Sequence, residues 1–370
     1  MAFYESLGVS KRINAAAYYT ALGGSIMSAD VIAAMNDASK SFISMHDLQL
    51  KAGKKIAKLT KNEGAYITTG AGAAIALSIL AFRTKGDINE IQRIIDGTAG
   101  PSEVIIQTGH RIPYDPAIRL AGSTIVTVGN AIQTFEYELE SAINSKTTAI
   151  FYVAGAHLAT PALSLETVVS IARKYKVPVV VDAAAQLPPL SNLWHFTEEC
   201  GADLVIFSGG KTLKGPASTG LVLGKSAWIE AVRTNGAPFQ RLARAFKVGK
   251  EEIAGIVTAV EQYVNLDHAS EFDGWERVIN AWVNELSIIP KIKVLKEDLN
   301  EAGQPIPRVA IHFSSDIALE AVAALQELDP IVEVVHNFRN TIWLSADGLQ
   351  KGEEKVVTEQ VKKALAKLKL

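Results

Sequence analysis

The sequence predicts an α/β protein: a large domain with a mostly parallel central sheet, followed by a smaller C-terminal α+β domain. Three observations carry this. From about residue 60 to 225, short β-branched apolar runs alternate with segments of helical periodicity. The segments between runs mostly leave room for a crossover helix, which parallel strands need and hairpins do not. Past Gly249 the pattern changes to long helices and then to a short mixture of strands and helices.

In chain order, the expected strands of the large domain are "AYITT", "EVIIQ", "STIVTV", "TAIFYV", "VPVVVD", "ADLVIF" and "TGLVLG". Between them, "AAIALSILAF" and "SLETVVSIARKYK" read as helices; in the second, Leu165, Val168, Val169, Ile171 and Ala172 repeat at helical spacing. Two long helices follow, "KEEIAGIVTAVEQYV" and "DGWERVINAWVNELSII". The small domain then reads as "RVAIHF", a helix "DIALEAVAALQEL", "IVEVVHN", "TIWLSA" and a terminal helix from about Lys351, with an antiparallel sheet. The division places an N-terminal arm and the large domain in residues 1–267 and the small domain in residues 268–370.

A chain of 370 residues, 48% hydrophobic and 21% charged, has the composition of a soluble globular protein with a sizeable core. A net charge of −2 with both signs interspersed supplies no field that would favour nucleic acid or an anionic membrane. The basic "KKALAKLK" near the C-terminus reads as the solvated face of an amphipathic helix. With Cys200 as its one cysteine, the chain is expected to have no internal disulfide framework and no cysteine-built metal site, and Cys200 itself reads as structural. The N-terminus lacks a secretory pattern and no apolar run reaches the ~20 residues that span a bilayer, so a cytoplasmic protein is expected.

In a parallel sheet, ligands bind beyond the carboxyl ends of the strands, and those ends hold the polar residues of interest. After "DLVIF" comes "SGGKTLKGPASTG", with Ser208, Lys211 and Lys214. A phosphate-binding Walker loop would need a glycine at position 205; Val205 stands there, inside a strand, so Lys211 is not read as a nucleotide lysine. Pyridoxal phosphate chemistry offers another use for it: a lysine amine for the aldehyde, a carboxylate for the ring nitrogen, a phosphate cradle and a flat group against the ring. Lys211 sits in a glycine turn, and Lys214 is the competing amine. Asp182 ends the apolar strand "VPVVVD", where a carboxylate needs a cationic partner, and the small residues Ala183, Ala184 and Ala185 behind it leave room for a planar ring. Gly70, Ala71, Gly72 and Ala73 open a helix directly after a strand, which makes an anion site. His110, after "EVIIQTG", is the candidate to stack on the ring or assist proton transfer, with His157 the weaker one. No histidine pair has zinc spacing, no G-x-S-x-G elbow is present, and the third glycine of a dinucleotide turn is missing after Gly70 and Gly72.

With Asp182 in "VVVDAAAQLPP" standing 29 residues before Lys211, the sequence resembles the fold-type I (aspartate aminotransferase-like) pyridoxal-phosphate enzymes. More narrowly, it resembles the selenocysteine synthase-like branch that includes D-glucosaminate-6-phosphate ammonia-lyase. The stretches "RINAAAYYTALGGSIMSADVIAAM", "YITTGAGAAIALS", "QTGHRIPYDPAIRLAG" and "FKVGKEEIAGIVTAVEQY" carry the likeness, over roughly residues 8–266. The resemblance implies Lys211 as Schiff-base lysine, Asp182 as partner of the pyridine nitrogen, residues 70–73 as phosphate cradle with Ser208 as a second phosphate ligand, and His110 as the ring-stacking residue. It also implies a homodimer or larger homo-oligomer. Because "INAAAYYTALGG" is reached by residue 13, ahead of which the tRNA enzymes carry a further binding region, a tRNA substrate is not expected. "AGAHLATPALSLE" and the pair Tyr18 and Tyr19 depart from the ammonia-lyase pattern where a substrate side group would be read.

The expected reaction is a β-elimination: Lys211 takes the Cα proton, a β-hydroxyl leaves, and hydrolysis yields a 2-oxo acid and ammonia from a small hydroxylated amino acid or amino sugar acid. Rival readings are racemisation, transamination, a tRNA-linked selenium transfer, and a non-catalytic protein that holds pyridoxal phosphate. For the substrate's acidic group, Arg12, Arg111, Arg241, Arg244, Arg308 and Arg339 are candidate clamps, with Arg111 and Arg339 preferred.

Overall fold

The computed structural model describes residues 3–369, which divide into two compact units: residues 24–266, and residues 3–23 together with 267–369. The strands in chain order are β1 (Arg12–Asn14), β2 (Gly64–Thr68), β3 (Glu103–Gln107), β4 (Thr124–Val128), β5 (Thr147–Val153), β6 (Val179–Asp182), β7 (Leu204–Ser208), β8 (Gly220–Gly224), β9 (Ile292–Glu297), β10 (Arg308–Phe313), β11 (Ile331–Glu333), β12 (Val335–His336) and β13 (Thr341–Ser345).

The unit of residues 24–266 is built on a seven-stranded sheet of order β2-β8-β7-β6-β5-β3-β4. The pairs among β7, β6, β5, β3 and β4 are all parallel, while β8 runs antiparallel to both of its neighbours. Side chains alternate across a strand, so a sheet covered on both faces needs apolar residues at every position. The sequence supplies them: Val104, Ile106, Val180, Leu204 and Ile206 enter one core, and Ile105, Val179, Val181, Val205 and Phe207 the other. Helix Gly70–Thr84 and helix Ser226–Asn235 cover the first face; helices Met45–Leu59, Leu165–Lys174 and Lys250–Val264 cover the second.

Helix Gly70–Thr84 is apolar nearly all round, with its residues from Ala73 to Phe82 buried, which explains a stretch of sequence with no amphipathic stripe. By contrast, helix Leu165–Lys174 buries Leu165, Val168, Val169, Ile171 and Ala172, the stripe read from the sequence, and its N-cap Ser164 accepts the Thr167 amide.

In the other unit a four-stranded antiparallel sheet, β12-β13-β10-β9, packs its apolar face on helices that include His268–Leu286, Ala318–Gln326 and Glu353–Lys367. The N-terminal arm belongs here and not with the large sheet, as the division at 267/268 had it. The reason is β1, which pairs in parallel with β11 from Arg12↔Ile331 to Asn14↔Glu333, and Ile13 and Ala15, which enter the same core as Trp282 and Val332. The stretch "IVEVVHN" is also split: β11 pairs with β1, and only β12 joins the antiparallel sheet.

One close approach ties the sheet to a helix start. A Cβ on Gly220 would lie 2.4 Å from the Gly70 carbonyl carbon and 2.7 Å from the Ala71 nitrogen, both backbone atoms that cannot turn aside. Replacing Gly220 by Ala is expected to lower unfolding stability by about 1–3 kcal/mol, the usual cost of overpacking. Urea denaturation of the variant beside the parent chain measures it; an unchanged midpoint would show that the helix start yields without cost.

Candidate active site

The residues picked from the strand ends fall at the carboxyl ends of β2, β3, β6 and β7, all within the unit of residues 24–266. Asp182 is the last residue of β6 and is 6% exposed. Burial pushes its carboxyl above the ordinary carboxylate range, opposed by the amide of Ala184 and by the positive charge of Lys211. The Ala184 N–H donates to Asp182 Oδ1 at 3.0 Å, which fixes the carboxylate in a tight turn; the next helix starts only at Asn192, so Asp182 is not a helix cap. Ala184 and Ala185 remain partly exposed beside it.

Lys211 is half-buried in the loop between β7 and β8. The loop is held at its neck, where Gly209 N–H donates to Thr219 O and Gly215 N–H to Gly209 O, both at 2.8 Å. Farther in, Thr212 Oγ1 donates to Leu187 O at 2.6 Å, and Lys214 takes a left-handed conformation with φ of 54°. Cβ atoms on Gly209 or Gly210 would meet Thr219 Oγ1 at 2.0 Å and Ala217 Cα at 2.4 Å, so both glycines are required for the two arms of the loop to lie together. Lys211 thus stands on a braced support, and its charge is felt by Asp182 on the adjacent strand. Ser208 is partly exposed and pairs with Gly220 at the mouth of the loop.

Residues 70–73 begin helix Gly70–Thr84 right after β2. Its N-cap, Thr69, makes no side-chain cap hydrogen bond, Gly70 has a φ of 77°, and a Cβ on Gly72 would meet nothing within 4 Å. The result is an uncapped, partly exposed helix start, with Ala73 the first residue to be buried. Oriented N–H groups in this setting attract an anion. A buried carboxylate, a half-buried amine sensed by it and an uncapped helix start are the donor set that pyridoxal phosphate requires, and these residues fit it.

Other candidates take different places. His110 is 1% exposed; its Nδ1 accepts the Val153 amide at 3.3 Å and its ring meets Tyr152 edge-to-face at 4.4 Å. Burial lowers its pKa to about 4. The ring is buried among protein groups, with its Nδ1 accepting from β5, and it leaves little open surface of its own. Arg111 is committed to an ion pair with Asp115 and to Thr127 Oγ1, which removes it as an anion clamp. Arg12 pairs with Glu333, Arg308 with Glu297, and Arg241 bonds the Thr234 carbonyl over the Phe239 ring. Arg244 and Arg339 are exposed, as is His157, in a short turn after β5. In the second unit Tyr18 donates to the Asp347 carbonyl at 2.5 Å, and its hydroxyl pKa is raised by burial and then by Asp347 and Glu271. Tyr19 is exposed.

Gly24 and Ser25 carry no chemical signature in the sequence. Ser25 N–H donates to Gly210 O at 2.9 Å, a Cβ on Gly24 would lie 2.7 Å from the same oxygen, and Ser25 Oγ is buried with no hydrogen-bond partner. This segment therefore lines the back of the lysine loop. Its signal was the double glycine in "ALGGS".

The low pKa of His110 has a testable sign. In an unfolded chain the ring protonates near pH 6.5, so the neutral folded form contributes stability above that pH and loses it as pH falls toward 4. Between those limits the parent is expected to lose up to about 3 kcal/mol more than His110→Gln. Denaturant titrations at pH 7 and pH 4.5 read the difference; parallel losses in the two chains would rule it out.

Residues 13–317 match the family model described as SelA, L-seryl-tRNA selenium transferase. The D-glucosaminate-6-phosphate ammonia lyase of Salmonella typhimurium is 35% identical over 86% of this chain and 84% of its own length. A 5'-C-glycyluridine monooxygenase-decarboxylase of Streptomyces is 33% identical over 88% of this chain and 80% of its own. An L-seryl-tRNA(Sec) selenium transferase of Clostridium perfringens is 26% identical, but only 56% of that protein is covered. Among solved structures, that of a D-glucosaminate-6-phosphate ammonia-lyase superposes with a TM-score of 0.84 over 99% of this chain and 98% of its own, at 29% identity.

Proposed function

Since this chain belongs to the SelA, L-seryl-tRNA selenium transferase, family, we propose that it is a pyridoxal-phosphate-dependent ammonia-lyase acting on an amino sugar acid or a small hydroxylated amino acid. The observation that carries the reading is a buried Asp182 at the end of β6 under the positive charge of Lys211, which stands in the loop after the neighbouring strand β7, in a chain 35% identical to a D-glucosaminate-6-phosphate ammonia lyase. When bound, pyridoxal phosphate supplies an electrophilic carbon for an amine and a ring that spreads negative charge from the substrate's Cα.

The chain's residues have separable tasks. Asp182 holds the proton on the ring nitrogen, a task suited to a carboxylate that burial leaves in need of a cation. The N–H groups at residues 70–73 bind the phosphate, with Ser208 beside them. Lys211 would hold the cofactor through its amine, and that amine, when free, would hold and move the Cα proton. Loss of the β-hydroxyl as water, followed by hydrolysis of the product, balances as substrate to 2-oxo acid plus ammonia. We further propose that the enzyme is a cytoplasmic homo-oligomer that binds no nucleic acid; among the described residues no helix is long and apolar enough to cross a membrane.

Borohydride reduction of the protein with pyridoxal phosphate, followed by peptide mapping, is expected to place the adduct on Lys211. D-Glucosaminate 6-phosphate and hydroxylated amino acids are then screened for ammonia and 2-oxo acid. Lys211→Ala and Asp182→Ala should each lower ammonia release by about 10²–10⁴-fold, the usual worth of a proton-transfer group. An adduct only on scattered lysines would sink the assignment. The screen is run with and without oxygen, because oxygen-dependent turnover with carbon dioxide release would favour chemistry of the kind named for the Streptomyces relative.

A further inference from the structure

A cluster of ligating side chains, one from the helix before β6 and two from the segment between β6 and β7, takes no part in the chemistry above. Helix Leu165–Lys174 carries Glu166 in its first turn. A π-helical turn, His195–Glu199, runs up to Cys200, and the Cys200 N–H closes on the His195 carbonyl at 3.0 Å. This i→i+5 closure sets side chains five apart next to each other, and such turns concentrate at functional sites. Cys200 Sγ lies 3.4 Å from His195 Nε2 and 3.5 Å from Glu166 Oε1, and one donor atom from each residue lies within 4.8 Å of the other two. We propose that Glu166, His195 and Cys200 form a binding site for a zinc-class divalent cation, with water completing its shell.

Two of the three separations match the ion, and the third lies within 4.8 Å. Tetrahedral zinc about 2.3 Å from sulfur and about 2.0–2.2 Å from nitrogen or oxygen holds those atoms about 3.6 Å apart. The two separations at Cys200 are already within a few tenths of an ångström of that. One thiolate, one imidazole and one carboxylate suit zinc or cobalt, whereas calcium and magnesium call for oxygen. The outer layer is also in place: Glu199 Oε2 lies 2.8 Å from His195 Nδ1. A carboxylate there keeps the proton on Nδ1 and leaves the Nε2 lone pair turned to Cys200.

A nucleophilic thiolate fits these neighbours less well, since Glu166 beside the sulfur opposes its negative charge; a dication makes the same carboxylate favourable. Cys200 is 7% exposed, while His195 and Glu166 are open to solvent, so an ion gains access from outside and keeps water as its fourth ligand. Binding releases the thiol proton: the cation and Cys–SH give a metal thiolate and H⁺.

Cobalt titration of the full-length holoenzyme tests the site. Because Cys200 is the chain's one cysteine, a thiolate-to-cobalt charge-transfer band can arise nowhere else. The expected result is one cobalt per chain with that band, bleached by zinc and lost in Cys200→Ser. His195→Gln should weaken binding tenfold or more, and Glu199→Gln by about 10–100-fold. Saturation without the band, or equal affinity in Cys200→Ser, would overturn the proposal. Should Cys200→Ser not fold by thermal melting, His195→Gln decides, its ring being half-exposed: unchanged affinity there overturns the site equally. No arm of this test measures ammonia, so it stands or falls apart from the lyase assignment.

Discussion

The unit of residues 24–266 is organised by one constraint: a carboxylate is buried at the end of a strand whose two faces are both covered. β6 consists of Val179, Val180, Val181 and Asp182, all buried, so the chain meets its first polar group where the sheet stops. A charge in that position is stable only with cationic and hydrogen-bonding partners. The fold provides the Ala184 amide from the following turn and the charge of Lys211 from the loop after the adjacent strand. Placing the polar groups at the carboxyl ends of the strands follows from the sheet being apolar everywhere else, and it determines where chemistry can occur.

The lysine and the proposed phosphate cradle share one rigid piece of backbone. β7 and β8 pair from Leu204↔Gly224 to Ser208↔Gly220, and the loop between them closes on itself at Gly209. Gly220, at the far side of that loop, touches the backbone of Gly70 and Ala71, the first residues of the uncapped helix. Behind the loop, Gly24 and Ser25 press on the Gly210 carbonyl. Glycines at positions 24, 209, 210 and 220 thus do one job: they let three backbone segments meet without intervening side chains. A site held by main-chain contacts of this kind keeps its geometry when side chains around it change rotamer, which is what positioning of reacting groups demands.

The sequence made the parallel sheet legible because strands buried on two faces are near-continuous apolar runs, as in β3, β6 and β7. β9 was hidden by the opposite property: "IKVLKE" is an edge strand whose burial alternates weakly and whose lysines read as solvent-facing chain. β1 has three residues and pairs with a strand more than 300 positions away, a register that no local pattern records. Asp182 and Lys211 could be singled out because strand ends can be read. The engagement of Arg111 by Asp115 sat in the sequence as an i,i+4 pair, "RIPYD", but was outweighed by the general suitability of arginine for acids. His110 shows the limit from the other side: its position after β3 was legible, its burial against Tyr152 and the Val153 amide was not, because both partners come from β5.

Two relatives of nearly equal identity bear names for different reactions, ammonia loss and oxygen-dependent decarboxylation. A buried acid and a lysine at the ends of adjacent strands can serve both, since both need charge withdrawn from carbon next to an amine. The distinction must then arise where side chains meet the substrate's other groups. In the unit of residues 24–266, the stretch between β5 and helix Leu165–Lys174, "AGAHLATPALS", places His157 on an exposed turn and Thr160 in the open. Ala154, Leu158 and Leu163 of this stretch pack against the cores, whereas its turn at His157, Ala159 and Thr160 is exposed and can vary at little cost to the sheet beneath it. Burial thus dictates the acid at the end of β6, while the exposed turn that follows β5 is under no such constraint.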